Sequence, residues 1–148
     1  GQTMKFWTSL QSLKCGFNDL GYEGLELLVP AICDCLQLEE LDLQGNDLGA
    51  IGAGLLAKCL ISCTSLRSLN LAHNRIGYEG LTEISQNLQF CPGLASVNLS
   101  ASCIGGRRSD TQSTQGLVAF SQALLHCTNV VDLDLSSNRF VRETQPMA

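Results

Sequence analysis

The chain has 148 residues, the size of one domain, and is 45% hydrophobic and 16% charged, enough to bury a core rather than stay disordered. Its formal net charge of −5 argues against general nucleic-acid binding, which needs a basic field. No apolar run approaches the roughly 18 residues of a membrane span, and no basic-then-apolar leader is read at the start.

Self-comparison resolves five segments that align without gaps: LQSLKCGFNDL (10–20), LEELDLQGNDL (38–48), LRSLNLAHNRI (66–76), LASVNLSASCI (94–104) and VVDLDLSSNRF (130–140). Their starts lie 28, 28, 28 and 36 residues apart, and GYEGL occurs at both 21–25 and 77–81. Each unit reads as a short strand, a turn and a helix. The first helix carries the stripe Leu25, Leu28 and Ile32, with Pro30 expected to kink or shorten it. In the second unit Leu41 and Leu43 alternate with Glu40, Asp42 and Gln44, which is strand periodicity. Asn46 and Gly49 mark turns, and a helix is predicted over about 50–62 with Leu56, Cys59, Leu60 and Cys63 on one face. The third helix presents Leu81, Ile84 and Leu88. The fourth unit carries eight extra residues within 105–115 and then Leu117, Phe120 and Leu124. Cys35, Cys63, Cys91 and Cys127 each stand three residues before the next segment.

One 28-residue unit cannot bury its own apolar face, so the units must stack. Parallel strands sit about 4.8 Å apart, whereas helices need roughly 8–10 Å. The stack therefore bends with its sheet on the inside. The LxxLxLxxN-x-L segments resemble leucine-rich repeats, and the 28-residue period with a full helix resembles the ribonuclease-inhibitor-like subclass. The resemblance spans about residues 6–140. It implies an α/β fold: a right-handed βα arc of five repeats, parallel sheet concave, helices convex, in a single domain over 1–148. Ser102 and Cys15 depart from the pattern, replacing the fourth asparagine and a strand leucine. Met4, Phe6 and Trp7 are expected to act as a partial cap. Otherwise the chain is expected to be an excerpt of a longer solenoid.

Asn18, Asn46, Asn74 and Asn138 are expected to satisfy turn backbone rather than to react, because a tight bend leaves polar groups without partners. Cys33-x-Cys35 and Cys59-x3-Cys63 could start a zinc site, but the eight cysteines form no CxxC pair and only two histidines are present, so a zinc site is weakly supported. Reduced, buried thiols at the helix-to-strand corner are the expectation, which places the protein in the cytoplasm. No catalytic motif is found, His73 reads as a surface residue, and neither an enzyme activity nor a cofactor is expected.

The concave face is the candidate site. Alternation sends Ser12, Glu40, Ser68, Ser96 and Asp132 outward in one row, Lys14, Asp42, Asn70, Asn98 and Asp134 in a second, and Gln44, Ala72, Ser100 and Ser136 in a third. Plain solvation of these residues is the alternative. Arg107 and Arg108 in the insertion, expected to be mobile, are a second candidate contact. The resulting expectation is a non-enzymatic module that binds another protein, one with a basic or mixed surface, through the sheet face and edge loops. Neither nucleic acid nor a membrane is expected as a partner. Self-association through open ends is also anticipated. A GTPase-activating role, as in the Ran GTPase-activating protein that such repeats resemble, is the competing reading; Arg107 or Arg108 would then approach the nucleotide.

Overall fold

A computed structural model describes residues 7–105 and 111–140, without the side chains of Thr111 and Ser113. Strands and helices alternate along the chain: β1 (Ser12–Lys14), α1 (Gly21–Asp34), β2 (Glu40–Asp42), α2 (Gly49–Leu60), β3 (Ser68–Asn70), α3 (Gly77–Asn87), a single 3-10 turn (Leu88–Phe90), β4 (Ser96–Asn98), α4 (Thr111–Leu124) and β5 (Asp132–Asp134). The five strands form one parallel sheet in sequence order. Register follows the repeat: Leu13 pairs with Leu41, Leu41 with Leu69, Leu69 with Val97, and Val97 with Leu133. The eight extra residues of the fourth unit leave this register untouched, because they are taken up between β4 and β5. The arc of right-handed βα units expected from the repeat is the fold observed.

The core is a column of repeat-equivalent side chains between sheet and helices. Leu41, Leu69 and Val97 supply it from the strands, and Leu56, Leu60, Leu81, Ile84 and Leu88 from the helices; all are buried. Removing such a side chain from water is worth roughly 1.5–3 kcal/mol each. The four periodic cysteines close the column at the helix-to-strand corner and are all buried. Pro30 does not cut α1 short: the helix runs on to Asp34. Proline removes one backbone donor. Pro30 is exposed, so water can satisfy the carbonyl it leaves open, while Ile32 two residues on is fully buried.

The helices approach each other through glycines at one repeat-equivalent position: Gly52, Gly80 and Gly116. A Cβ on Gly80 would lie 2.7 Å from the Ala53 Cβ of α2, and one on Gly116 would lie 2.8 Å from the Tyr78 carbonyl oxygen of α3. Gly54 sits in α2 as well, but a Cβ there meets nothing within 4 Å. The two sites separate helix propensity from packing. Gly54→Ala should stabilise the protein by about 0.5–1 kcal/mol, because alanine restricts the unfolded chain. Gly80→Ala should destabilise it by about 1–2 kcal/mol, because α2 and α3 must part. Denaturant midpoints of the two variants should move in opposite directions.

Candidate functional site

The turns after the strands are built on the asparagines. Asn46 is fully buried. Its Oδ1 accepts from the Asn18 amide at 3.0 Å and the Leu20 amide at 3.4 Å. Its Nδ2 donates to the carbonyls of Cys15 and Leu43, both at 2.9 Å. Asn74 repeats this one unit on, accepting from Asn46 and Leu48 and donating to Leu43 and Leu71. Asn138 does the same for Ser102, Ile104, Leu99 and Leu135. Each side chain therefore ties its own turn to the preceding one. The same rungs start the helices. None of α1, α2 and α3 has a side-chain N-cap. Instead the amides of Gly21, Gly49 and Gly77 donate to the backbone carbonyls of Asn46, Asn74 and Ser102. Asparagines in this ladder are structural, as the pattern implied.

Ser102 breaks the ladder by half. Its Oγ donates to the Leu71 carbonyl at 2.9 Å, the bond an asparagine Nδ2 would make. It offers nothing to the amides of Asn74 and Ile76, which have no acceptor among the described residues.

The concave rows stand in register across the sheet. Ser12 Oγ donates to Glu40 Oε2 at 2.7 Å, and Lys14 Nζ lies 3.0 Å from Glu40 Oε1. The serine hydroxyl first, then the lysine, holds the Glu40 carboxyl below the usual glutamate range. Ser96 Oγ donates to Asp132 Oδ2 at 3.2 Å, and Asn70 Nδ2 to Gln44 Oε1 at 3.0 Å. Ser68 and Asn98 lie between these pairs in the same rows. The strand register brings together nine of the named candidates: Glu40, Asp42, Gln44, Ser68, Asn70, Ser96, Asn98, Asp132 and Asp134. Arg107 and Arg108 lie outside the described residues, as do Met4 and Phe6.

The second row has a structural role that alternation alone does not disclose. Asp42 Oδ1 accepts from the Gln44 amide at 3.0 Å, and Asn70 Oδ1 from Ala72 at 3.1 Å. Asn98 and Asp134 Oδ1 accept from Ser100 and Ser136, both at 2.9 Å. Each is a side chain bonding backbone two residues on, the habit of Asp and Asn at turns. The Ser136 hydroxyl and amide hold the Asp134 carboxyl below its ordinary value. The sequence signal was present: only Asp or Asn occupies this position in units two to five.

All eight cysteines are free. Burial, with smaller contributions from neighbouring thiols, pushes Cys63 up to about 11 and Cys91 up to about 12. Cys91 and Cys127 Sγ instead donate to the Leu60 and Leu88 carbonyls, both at 3.6 Å. These are packed thiols, not thiolates. Among the described residues no group of three His, Cys, Asp or Glu side chains is placed to hold a metal ion. No helix among them is long and apolar enough to cross a membrane. His73 is exposed on a turn. Part of the insertion, residues 111–115, forms the first turn of α4, where the Tyr78 hydroxyl lies 3.3 Å from Gln112 Oε1. These residues are helix rather than the loop their composition suggested, and residues 106–110 of the insertion lie outside the described residues.

A family model described as Leucine Rich repeat matches residues 8–29, 35–57 and 62–85. The fold is a leucine-rich-repeat solenoid. The tropomodulin C-terminal domain of Caenorhabditis elegans superposes with a TM-score of 0.71 at 17% identity, covering 87% of this chain and 75% of that one. A structure titled leiomodin-1 actin-binding site 2 superposes with a TM-score of 0.66 at 18% identity, covering 86% and 70%. At these identities the likeness is one of fold. No curated protein sequence matches the chain.

Repairing the broken rung tests the ladder chemistry. Ser102→Asn should keep the donation to Leu71 and add an acceptor for the Asn74 and Ile76 amides. A gain of about 1 kcal/mol in unfolding free energy is expected, with slower amide exchange at residues 74 and 76. A loss of stability would mean that the pocket around Ser102 has no room for the larger side chain.

Proposed function

We propose that the chain is a non-enzymatic protein-interaction module that takes its partner on the concave sheet face. The observation that carries this reading is the face itself. Four carboxylates, from Glu40, Asp42, Asp132 and Asp134, and one ammonium, from Lys14, stand on β1, β2 and β5 of a sheet whose five strands are held in register. Such a surface is extended, which suits a macromolecule. Its charge favours a partner with a basic or mixed surface, chiefly through encounter rate and selectivity. One similar structure carries an actin-binding site in its title, which supports a protein ligand for this fold and makes actin the first purified protein to test. A GTPase-activating role would rest on Arg107 and Arg108, and no observation on the described residues favours it. The 28-residue register of β1 to β4, each strand followed by a helix, supports the ribonuclease-inhibitor-like subclass, and eight free thiols support a reducing, cytoplasmic setting.

The test must remove charge without breaking the Asx bonds. Asp42→Asn and Asp134→Asn keep the Oδ1 acceptor, and Glu40→Gln and Asp132→Asn complete the set. A control carrying Glu23→Gln, Glu26→Gln, Glu79→Gln and Glu83→Gln removes the same charge from exposed helix positions. Binding to purified actin, and capture of other partners, should fall about tenfold or more in the concave variant and stay within twofold in the control. Equal losses in both would reduce the effect to net charge, and no loss in either would move the site off this face.

A further inference from the structure

We propose that the chain associates with itself head to tail, the β5 and α4 end of one copy seating on the β1 and α1 end of the next. The two ends match in hydrogen bonding, in charge and in apolar surface, at the spacing the repeat already uses.

Consider the backbone first. The amides of Cys15, Leu43, Leu71 and Leu99 donate to the carbonyls of Asp42, Asn70, Asn98 and Asp134 on the following unit. Leu135 holds the same place in the last unit, and its amide has no acceptor among the described residues. Two residues on, Phe17, Gly45, His73 and Ala101 donate to Gln44, Ala72, Ser100 and Ser136, and Ser137 is left over in the same way. The Asn138 amide also lacks the side-chain oxygen that Asn18, Asn46 and Ser102 each find one unit on. The opposite end offers the complementary set. The carbonyls of Lys14 and Gly16 stand where Asp42 and Gln44 stand, and Asn18 Oδ1 accepts no donor among the described residues. Bonds in the other direction, from Glu40, Ser68, Ser96 and Asp132 back to Gln11, Glu39, Arg67 and Ala95, repeat in the same way, so each edge presents partners for the other, the condition under which a sheet adds a strand.

The side chains agree. Carrying the register one step further sets Asp132 against Ser12, Leu133 against Leu13 and Asp134 against Lys14. The first pair sets a carboxylate beside a hydroxyl in the order that Glu40 and Ser68 already take inside the sheet. The last pair joins opposite charges. Leu133 is 38% exposed, whereas Leu41 and Leu69, its equivalents inside the stack, are at most 1% exposed.

The helices complete the fit. Inside the chain, Gly54 of α2 lines a groove with Glu83 of α3, and Gln89 of the 3-10 turn lines one with Ala119 of α4. At the junction Val118 takes the place of Gly54, Leu125 that of Gln89, and Leu27 that of Glu83 and Ala119. Leu27 is 82% exposed, Leu125 76% and Val118 53%. Leu125 and Leu27 are thus apolar where Gln89 and Glu83 are polar inside the chain, at places a second copy would cover. The contact is heterologous: each copy carries one of each end, so the product is an open chain or a ring.

Sedimentation of the full chain from roughly 1 to 500 µM, a range that spans weak self-association, reads this directly. The weight-average mass is expected to rise past twice that of one chain. Leu27→Glu blocks one end and Leu125→Glu the other, with folding checked by the unfolding midpoint. Each variant alone should associate at least about tenfold more weakly, while an equimolar mixture should form a dimer and nothing larger. If Leu27→Glu fails to fold, Lys14→Glu serves for the same end, and added salt should weaken the contact. A wild-type chain that stays monomeric throughout would overturn the proposal, whether residues 1–6, residues 141–148 or another protein covers the ends. So would a single variant that associates like wild type, or a mixture that stays monomeric while wild type associates.

Discussion

The buried turns of this molecule depend on the asparagine rung. A turn that bends the chain from a buried strand into a helix leaves amides and carbonyls inside, where an unmade hydrogen bond costs about 1–3 kcal/mol. One side chain with both an acceptor and a donor face resolves this for two adjacent turns at once. Asn46 bonds its own turn through the Leu43 carbonyl and the previous turn through Cys15, Asn18 and Leu20. The link between neighbours is therefore as local as the link within a unit, and the solenoid coheres by pairwise contacts alone.

The turn backbone, even where Ser102 replaces the asparagine, takes up the amides at which the helices begin. Backbone carbonyls of the following turn receive the first glycine amides of α1, α2 and α3, so the helix starts need no polar cap residue. Close approach through Gly80 and Gly116 then keeps the convex side tight. The concave side is left with side chains in straight rows, some of which the backbone has already engaged. Asp42 and Asp134 each spend one oxygen on the turn behind them, while Glu40 and Asp132 are engaged by serines on neighbouring strands. Charge on this face is thus held in place before any partner arrives.

The fold was legible because its signal is repetition. Five aligned segments carry strand, turn and helix together, and the observed register reproduces their 28, 28, 28 and 36 spacing. Less was legible where a local rule met a tertiary context. Pro30 reads as a helix breaker, yet an exposed position and a buried Ile32 beyond it carry α1 through. Residues 111–115 read as a loop by composition, but packing of Gly116 against Tyr78 extends α4 over them. The glycine row at 52, 80 and 116 was visible as spacing but says nothing about contact until the helices are placed. The concave face could be located by alternation; that its second row also bonds the backbone required distances.

The most direct measurement is the unfolding free energy of Asn74→Ala beside Asn18→Ala, with amide exchange followed residue by residue. Asn74 is fully buried and ties residues 46 and 48 to its own turn, whereas Asn18 is exposed and its amide group donates only within its own turn. The account predicts a loss of about 3 kcal/mol for Asn74→Ala, with protection falling first at residues 46 and 48, and less than about 1 kcal/mol for Asn18→Ala. Equal and small losses at both positions would contradict it, and would assign the cohesion of the stack to the leucine column alone.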